Sequence, residues 1–173
     1  VRLVSGTRAL NYDFLEYRPS TIRGSVIEDT NGNGLIDAGE TGIPSVTVYL
    51  LDADGNRIAE TQTDDSGRYQ FADLRPGVYG VEELQPTGYE DGRDHVGSVG
   101  GSLVSPDSIT GVRLVSGTDA VNYDFLDFKL STISGRVIDD ANGDGAIDTG
   151  EVGIPSVTVY LLDAQGNRVG ETT

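Results

Sequence analysis

The chain has 173 residues, and its 12 basic and 28 acidic side chains give it a formal net charge of −16. Such a field repels nucleic acid and anionic membrane surfaces, and no apolar run approaches the roughly 20 residues of a membrane-spanning helix. The chain has no cysteine, which excludes disulfides, zinc–thiolate sites and thiol catalysis. We therefore expect neither a nucleic-acid partner nor membrane insertion.

Seven short segments rich in β-branched and aromatic residues follow one another along the chain. They are TIRGSVIE from Thr21, SVTVYLL from Ser45, RIAETQT from Arg57, RYQF from Arg68, GVYGVEEL from Gly77, GVRLVS from Gly111 and AVNYDFL from Ala120. Turn sequences separate them, among them a hairpin tip at 52–56, and no window of 11 residues or more has helical periodicity. This pattern predicts an all-β fold, a two-sheet β-sandwich of the Ig-like kind.

The chain also repeats itself. The sequences VRLVSGT, NYDFL and GIPSVTVYLLDA each occur twice, always 111 residues apart, which is the size of a globular domain. We therefore expect a tandem array in which residues 1–19 are the C-terminal strands of a preceding repeat, 20–129 form one complete repeat, and 130–173 begin the next. The short polar segments between repeats predict that neighbours are held head to tail and semi-rigidly, in a chain that continues in both directions.

One loop in each repeat has the residue pattern of an EF-hand calcium loop. Such loops supply oxygens at positions 1, 3, 5, 7, 9 and 12 and place a glycine at position 6. In the first copy these are Asp29, Asn31, Asn33, the carbonyl of Leu35, Asp37 and Glu40, with Gly34 at the turn. In the second they are Asp140, Asn142, Asp144, the carbonyl of Ala146, Asp148 and Glu151, with Gly145 at the turn. We also expect Ile36, at position 8, to anchor the loop toward the core.

These ligands favour Ca²⁺, because they are all hard oxygens without histidine or cysteine. The alternative is an acidic Asx-rich turn that binds no ion, since Asn, Asp and Gly favour loops in any case. A chance turn has no reason to place glutamate at position 12, and the two copies differ mainly where no side-chain ligand is needed. Because Asn33 is replaced by Asp144, the second loop has one more carboxylate, and we expect it to bind calcium more tightly.

The flanks of the loop are strand-like and exclude a helical EF-hand. Pro44 lacks an amide proton, and the segment after it is rich in valine, threonine and tyrosine. The first strand runs from Thr21 to Glu28, so we expect the first loop at the end of the repeat that faces the next linker, at 127–132, and not at the Ser20 end.

The order of these motifs, from STIRGSVIEDTNGNG through GRYQF to RPGVYGVEELQPTGY and VNYDF, resembles the B-type domains of serine–aspartate-repeat surface adhesins. Those domains belong with the collagen-adhesin B-type, transthyretin-like sandwiches. The resemblance covers the complete repeat and both partial ones. It implies extracellular or cell-surface stalk domains that bind calcium and space other domains, with neighbouring repeats and other chains of a fibre as partners.

The wider group also implies an internal Lys–Asn isopeptide bond promoted by a glutamate, a place taken here by Glu83. Lys129 is the chain's only lysine and lies in the linker, so the complete repeat cannot form this bond. We expect Glu83 to be a structural or surface carboxylate.

Other side chains offer weaker alternatives. Four aspartates in turn sequences would make a further cation site, although solvated turn residues are the simpler interpretation; they are Asp64, Asp65, Asp91 and Asp94. His95 has no nucleophile at a meaningful spacing, so we expect a loop histidine and no enzyme. A ligand-binding module that recognises carbohydrate or a host protein through Tyr17 or Tyr89 is the alternative to a structural repeat.

Overall fold

A computed structural model describes residues 2, 4, 5, 8, 10, 11 and 13–173. The chain divides into two compact units, Val1–Leu130 and Ser131–Thr173, and their boundary falls inside the predicted linker at 127–132. Within the described part, no helix is long and apolar enough to cross a membrane.

Thirteen strands form in the described residues. They are β1 Ser20–Glu28, β2 Thr41–Gly42, β3 Thr47–Leu51, β4 Arg57–Gln62, β5 Arg68–Leu74, β6 Gly77–Glu83, β7 Glu90–Asp91, β8 Ser102–Ser105, β9 Ser108–Leu114, β10 Asp119–Ala120, β11 Phe125–Phe128, β12 Val159–Leu162 and β13 Arg168–Thr172.

The first unit contains two sheets. In one, β1 pairs antiparallel with β5 and β2 and parallel with β10 and β11, and β7 is added beyond β11. The other is antiparallel in the order β4-β3-β6-β9-β8. In the second unit, β12 and β13 form an antiparallel pair. The parallel pairing of β1 with β11 places the first and last strands of the first unit side by side.

A hydrophobic core formed by described residues of both sheets lies between the two sheets. Ile22 and Phe125 come from the first sheet and Val48, Val81 and Ile109 from the second, and all five are fully buried. In β3, the alternate residues Val48 and Leu50 are buried. The predicted hairpin tip closes with a bond from the Asp52 N–H to the Asn56 carbonyl. The all-β sandwich predicted from the sequence is confirmed.

At Gly24, the backbone of β1 lies directly against the backbone of Tyr123. A Cβ built there would lie 1.7 Å from the carbonyl oxygen of Tyr123, so only glycine fits. The same carbonyl accepts a 2.7 Å hydrogen bond from the buried hydroxyl of Tyr69. Beside it, Asn122 has a φ of 62°, a left-handed conformation that asparagine tolerates. This residue splits the predicted strand AVNYDFL into β10 and β11.

The seven predicted segments all carry strands, and the sequence patterns missed the short strands β2, β7 and β8. The prediction for 1–19 falls partly on residues 1, 3, 6, 7, 9 and 12, which lie outside the described residues. The described residues of this segment up to Pro19 form no strand. Near its end, the Arg18 N–H donates to Ser116 Oγ at 2.8 Å, which joins this segment to the rest of the first unit.

Candidate calcium site

The first candidate calcium loop begins where β1 ends. Glu28 is in register with Asp127 of β11, and the N–H of Asp29 donates to the Asp127 carbonyl at 2.7 Å. Ser20 lies at the other end of β1. The loop therefore lies where the last strand leads into the linker, as the sequence predicted.

Asp29 organises the loop from its first position. It is only 2% exposed, and its carboxylate accepts hydrogen bonds from the N–H groups of Gly34 at 2.7 Å, Gly32 at 2.8 Å and Asn33 at 3.3 Å. Burial acts to raise the pKa of Asp29, but these three donors outweigh it and lower the pKa overall. The carboxylate therefore stays ionised at neutral pH, as a calcium ligand must.

The other predicted side-chain ligands converge on one another. The side-chain amides of Asn31 and Asn33 both donate to the carboxylate of Asp37, at 2.9 and 2.7 Å, and these two bonds lower the pKa of Asp37. Glu40 accepts bonds from the N–H groups of Thr30 at 3.1 Å and Asp37 at 2.9 Å. The side chains at positions 3, 5, 9 and 12 are thus already gathered around one turn.

The second loop has the same plan. The carboxylate of Asp140 accepts from three backbone N–H groups, first among them that of Gly145, and they lower its pKa. Asn142 donates to Asp148 at 2.8 Å and to Asp144 at 3.1 Å. Glu151 accepts from the N–H groups of residues 141 and 148. Aspartate at position 5 adds a charge and cannot donate to Asp148 as Asn33 donates to Asp37, so Asn142 alone bonds to the two carboxylates.

The residue at position 7 makes the same backbone hydrogen bond in both loops. The N–H of Leu35 donates to Asn33 Oδ1 and that of Ala146 donates to Asp144 Oδ1, each at 2.8 Å. These bonds hold the position 7 residue next to the position 5 side chain. All twelve sequence-predicted ligands thus lie in two matching loops.

The sequence prediction for Ile36 is wrong, because its side chain is 47% exposed. The loop is instead fixed to the unit through Gly34, which is buried. The Gly34 carbonyl accepts a 3.0 Å hydrogen bond from His95 Nε2, and a Cβ at Gly34 would lie 3.0 Å from the side chain of Arg93. His95 is itself held by a backbone bridge to Asp124. The single histidine is therefore a tether for the loop.

The arrangement is suited to a hard cation. Three carboxylates and two asparagines lie in the first loop, and four carboxylates and one asparagine lie in the second, so every one of these side chains carries oxygen. Without a cation, hydrogen bonds among the ligands occupy the same turn.

A further group of carboxylates, which the sequence patterns did not single out as a group, lies beside the first loop. Glu83, Asp107 and Asp127 present oxygens within 4.8 Å of one another, and Asp91 and Asp94 form a second such triad with the same Asp107. Glu83 is 3% exposed and Asp127 1% exposed. The sequence pattern that could have shown the burial of Glu83 is the period-two alternation of β6, because Glu83 lies on the same inward face as Val81.

Burial and mutual repulsion disfavour the ionised form of these carboxyl groups. Burial, with the neighbouring charge of Asp127 next in importance, raises the pKa of Glu83 to about 10. Burial is also the main cause that raises the pKa of Asp107 to about 7 and that of Asp94 to about 6. Of the two possibilities expected for Glu83, a structural or a surface carboxylate, burial leaves the structural one, and the expectation that Asp94 is a solvated turn residue is wrong.

The remaining side chains singled out from the sequence have structural contacts. Asp64 accepts bonds from two backbone N–H groups of its own turn, as expected of a turn residue. The Tyr89 hydroxyl donates to Glu28 Oε2 at 3.1 Å, and Lys129 Nζ donates to the same oxygen at 2.8 Å. Arg75 lies 5.8 Å from the ring centre of Tyr17. Tyr89 thus packs and hydrogen-bonds within the unit.

The fold and the loop together define a class, that of β-sandwich repeats whose first strand leads into an acidic, EF-hand-like loop. The sequence matches the SdrD B-like domain over residues 20–125, and the chain belongs to this family. It is 34% identical over 171 residues to serine-aspartate repeat-containing protein C of Staphylococcus aureus strain Newman. That match covers 98% of the chain but 18% of the relative's length.

Two solved structures are also similar. The Bacillus anthracis TIE protein matches 89% of this chain and 24% of its own, with a TM-score of 0.46 and 14% identity. The minor pilin GBS52 of Streptococcus agalactiae matches 69% of this chain and 48% of its own, with a TM-score of 0.46 and 12% identity.

Membership of the family settles the broad class. The chain is related to B-type domains of surface adhesins of Gram-positive bacteria, which are extracellular structural repeats. The family is not a family of enzymes, in agreement with the sequence prediction.

Proposed function

We propose that the chain is a calcium-rigidified segment of a stalk or filament in a bacterial surface protein. The observation that carries the proposal is the convergence of the predicted ligands in one turn beside the last strand of the unit. In this proposal Ca²⁺ is held in the first loop by Asp29, Asn31, Asn33, the carbonyl of Leu35, Asp37 and Glu40. The second loop uses the equivalent residues from Asp140 to Glu151 and binds more tightly, because it carries one more carboxylate.

The topology supports a mechanical role. The repeat 20–129 begins with β1 and ends with β11, and the two strands are parallel neighbours from Val26↔Phe125 to Glu28↔Asp127. Tension between the two ends therefore acts along the strands, so that the bonds between them must break together. A cation in the loop would fasten the end of β1 where it is bonded to β11.

Calcium would also make the stiffness conditional on the surroundings. Without a cation, three carboxylates repel one another within a short loop. A cation that binds only the folded form adds about 2.7 kcal/mol of stability at a hundredfold excess over Kd, and extracellular modules have Kd values of about 10⁻⁴ to 10⁻³ M. The unit would be stiff outside the cell and weaker where calcium is scarce.

The partners in this proposal are neighbouring copies of the repeat, head to tail, and other chains of a fibre. We propose the repeat boundaries at 1–19, 20–129 and 130–173. The alternative, a module that binds carbohydrate or a host protein through loop aromatics, finds little support at Tyr89, because that side chain is engaged with Glu28 and Lys129.

Single-molecule force unfolding of the chain, pulled from its two ends, tests the proposal. We expect a higher unfolding force in calcium than in chelator, and Glu40→Gln should lower the force in calcium. A force that does not depend on calcium would contradict the mechanical role. Specific binding on a glycan array, combined with such a force, would favour the alternative function.

A further inference from the structure

We propose that Asn31 and Asn33 of the first loop are latent sites of hydrolytic deamidation, and that the Asp29 carboxylate keeps them unmodified. This inference goes beyond the proposed function and does not rest on it, because the hydrogen bonds that carry it are made by the protein itself. It assigns a chemical modification to the loop, and it gives Asp29 a protective role that is separate from calcium binding.

The sequence of the two loops makes the modification possible. Asparagine is followed by glycine at three places in the chain, and all three lie in the two loops; they are Asn31–Gly32, Asn33–Gly34 and Asn142–Gly143. Asparagine is a chemically labile residue, and a following glycine has no Cβ to shield the backbone nitrogen between them. Asn31 and Asn33 are also exposed, so water reaches both of them.

Deamidation of Asn33 takes two steps. The Gly34 nitrogen loses its proton to solvent base and attacks Cγ of Asn33; the N–Cγ bond forms, the Cγ–Nδ2 bond breaks, and the amino group leaves as ammonia after taking up a proton from solvent. Water then opens the resulting cyclic imide at one of its two carbonyl groups. The net change converts an amide and water into a carboxylic acid and ammonia, so no other reactant is needed. The first step requires that the glycine nitrogen release its proton.

One carboxylate holds both of the protons that have to be released. The Gly32 N–H donates to Asp29 Oδ1 at 2.8 Å, and the Gly34 N–H donates to Asp29 Oδ2 at 2.7 Å. Hydrogen bonds to an ionised acceptor are stronger than those between neutral groups. Loss of either proton would also leave an anionic nitrogen against the carboxylate, and like charges repel strongly where water is excluded. Asp29 is 2% exposed and Gly34 is buried, so solvent base has little access to the Gly34 proton.

The second loop repeats this protection and already contains one product of the reaction. The Gly143 N–H donates to Asp140 Oδ1 at 2.7 Å, which protects Asn142 in the same way. Position 5 of that loop is Asp144, and deamidation of Asn33 would put the same residue type at position 5 of the first loop. The alternative product, isoaspartate, lengthens the backbone by one carbon and displaces the residues that follow. The first loop would therefore either gain a carboxylate or lose its geometry, and neither change reverses.

Peptide mapping by tandem mass spectrometry tests the inference, because conversion of an amide into an acid changes the mass of the peptide. The unmodified 173-residue chain, Asp29→Ala and Asp37→Ala are incubated in chelator at mildly alkaline pH, and the rate of deamidation is measured at each asparagine. Asp37→Ala is the matched control, since it removes the same charge and truncates another predicted ligand of the same loop. It also frees the side-chain amides of Asn31 and Asn33, but it leaves both glycine protons on Asp29.

In Asp29→Ala, we expect Asn31 and Asn33 to deamidate about tenfold faster than in the unmodified chain, the factor that corresponds to the loss of one hydrogen bond to a charged group. Asn142 lies in the unaltered loop and should keep its rate. Asp37→Ala should leave the rates at all three asparagines close to those of the unmodified chain.

Unchanged rates at Asn31 and Asn33 in Asp29→Ala would overturn the inference. Equal acceleration in Asp37→Ala would also overturn it, since the side-chain amides and not the glycine protons would then control the reaction. If Asp29→Ala does not fold, Asp140→Ala is measured at Asn142 by the same criteria, with the first loop as the reference. All rates are measured in chelator, so a failure of the loops to bind calcium would contradict the proposed function without affecting this result.

Discussion

Replacement of His95 by alanine should weaken calcium binding at the first loop and leave the second loop unchanged. The His95 ring donates one hydrogen bond of 3.0 Å to the carbonyl of Gly34, at the turn of the first loop. His95 is the only histidine of the 173 residues, so in this chain no histidine can donate to the carbonyl of Gly145 at the turn of the second loop. The two loops therefore serve as test and reference within one molecule.

The magnitude follows from that single bond. A hydrogen bond of this kind contributes about 0.5 to 1.5 kcal/mol. If the tether holds the turn in its binding conformation, its loss raises Kd by about 2- to 12-fold, because about 1.4 kcal/mol corresponds to a factor of ten. His95→Gln, which keeps a side-chain amide donor at similar reach, should recover part of the affinity.

Isothermal titration with calcium measures the effect, with Glu40→Gln and Glu151→Gln used to assign each binding step to its loop. The reasoning would be refuted if His95→Ala left the affinity of the first loop within experimental error of the unmodified chain. It would also be refuted if both loops weakened equally, since that would indicate a general loss of structure.

Three further predictions concern the sandwich and its acidic group. Gly24→Ala should keep the first unit from folding, so that its cooperative melting transition is lost, because the added Cβ would lie 1.7 Å from a carbonyl oxygen. Gly135→Ala, at the equivalent position 111 residues on, has nothing within 4 Å of the added Cβ and should leave the melting curve unchanged. Tyr69→Phe should lower the free energy of unfolding by about 1 to 3 kcal/mol in urea titrations, because it leaves a buried carbonyl without its donor. Burial raises the pKa of Asp94 to about 6 and that of Asp107 to about 7, so the folded chain binds more protons than the unfolded chain from about pH 4 to 7. In chelator, stability should therefore fall as pH rises through this window, and thermal unfolding from pH 5 to 8 that shows no such decline would count against the buried acidic group.

The sandwich was predictable because its signals are local. Alternation of apolar residues identifies the inward face of a strand such as Thr47–Leu51, and turn sequences mark where strands end. The short strands β2 and β7 have only two residues each, which is too few for any period to appear. They form because a neighbouring strand supplies partners for their backbone groups.

The loops were predictable for the same reason, since a twelve-residue ligand pattern is contained in one stretch of sequence. The loop's attachment was not, because the expected anchor Ile36 is exposed and the contact comes from His95, 61 residues from Gly34. The acidic group could not be predicted for the same reason, because its members are far apart in the sequence. Glu83, Asp107 and Asp127 lie on three separate strands or turns, and only the folded topology brings their carboxylates together.

Thermal unfolding of the 173-residue chain in calcium and in chelator tests the central claim most directly. Binding to the folded form at a hundredfold excess over Kd adds about 2.7 kcal/mol per site, so the midpoint should rise clearly in calcium. The double variant Glu40→Gln, Glu151→Gln should lose most of that rise. Identical midpoints in calcium and chelator for the unmodified chain would contradict the claim that calcium stabilises this repeat.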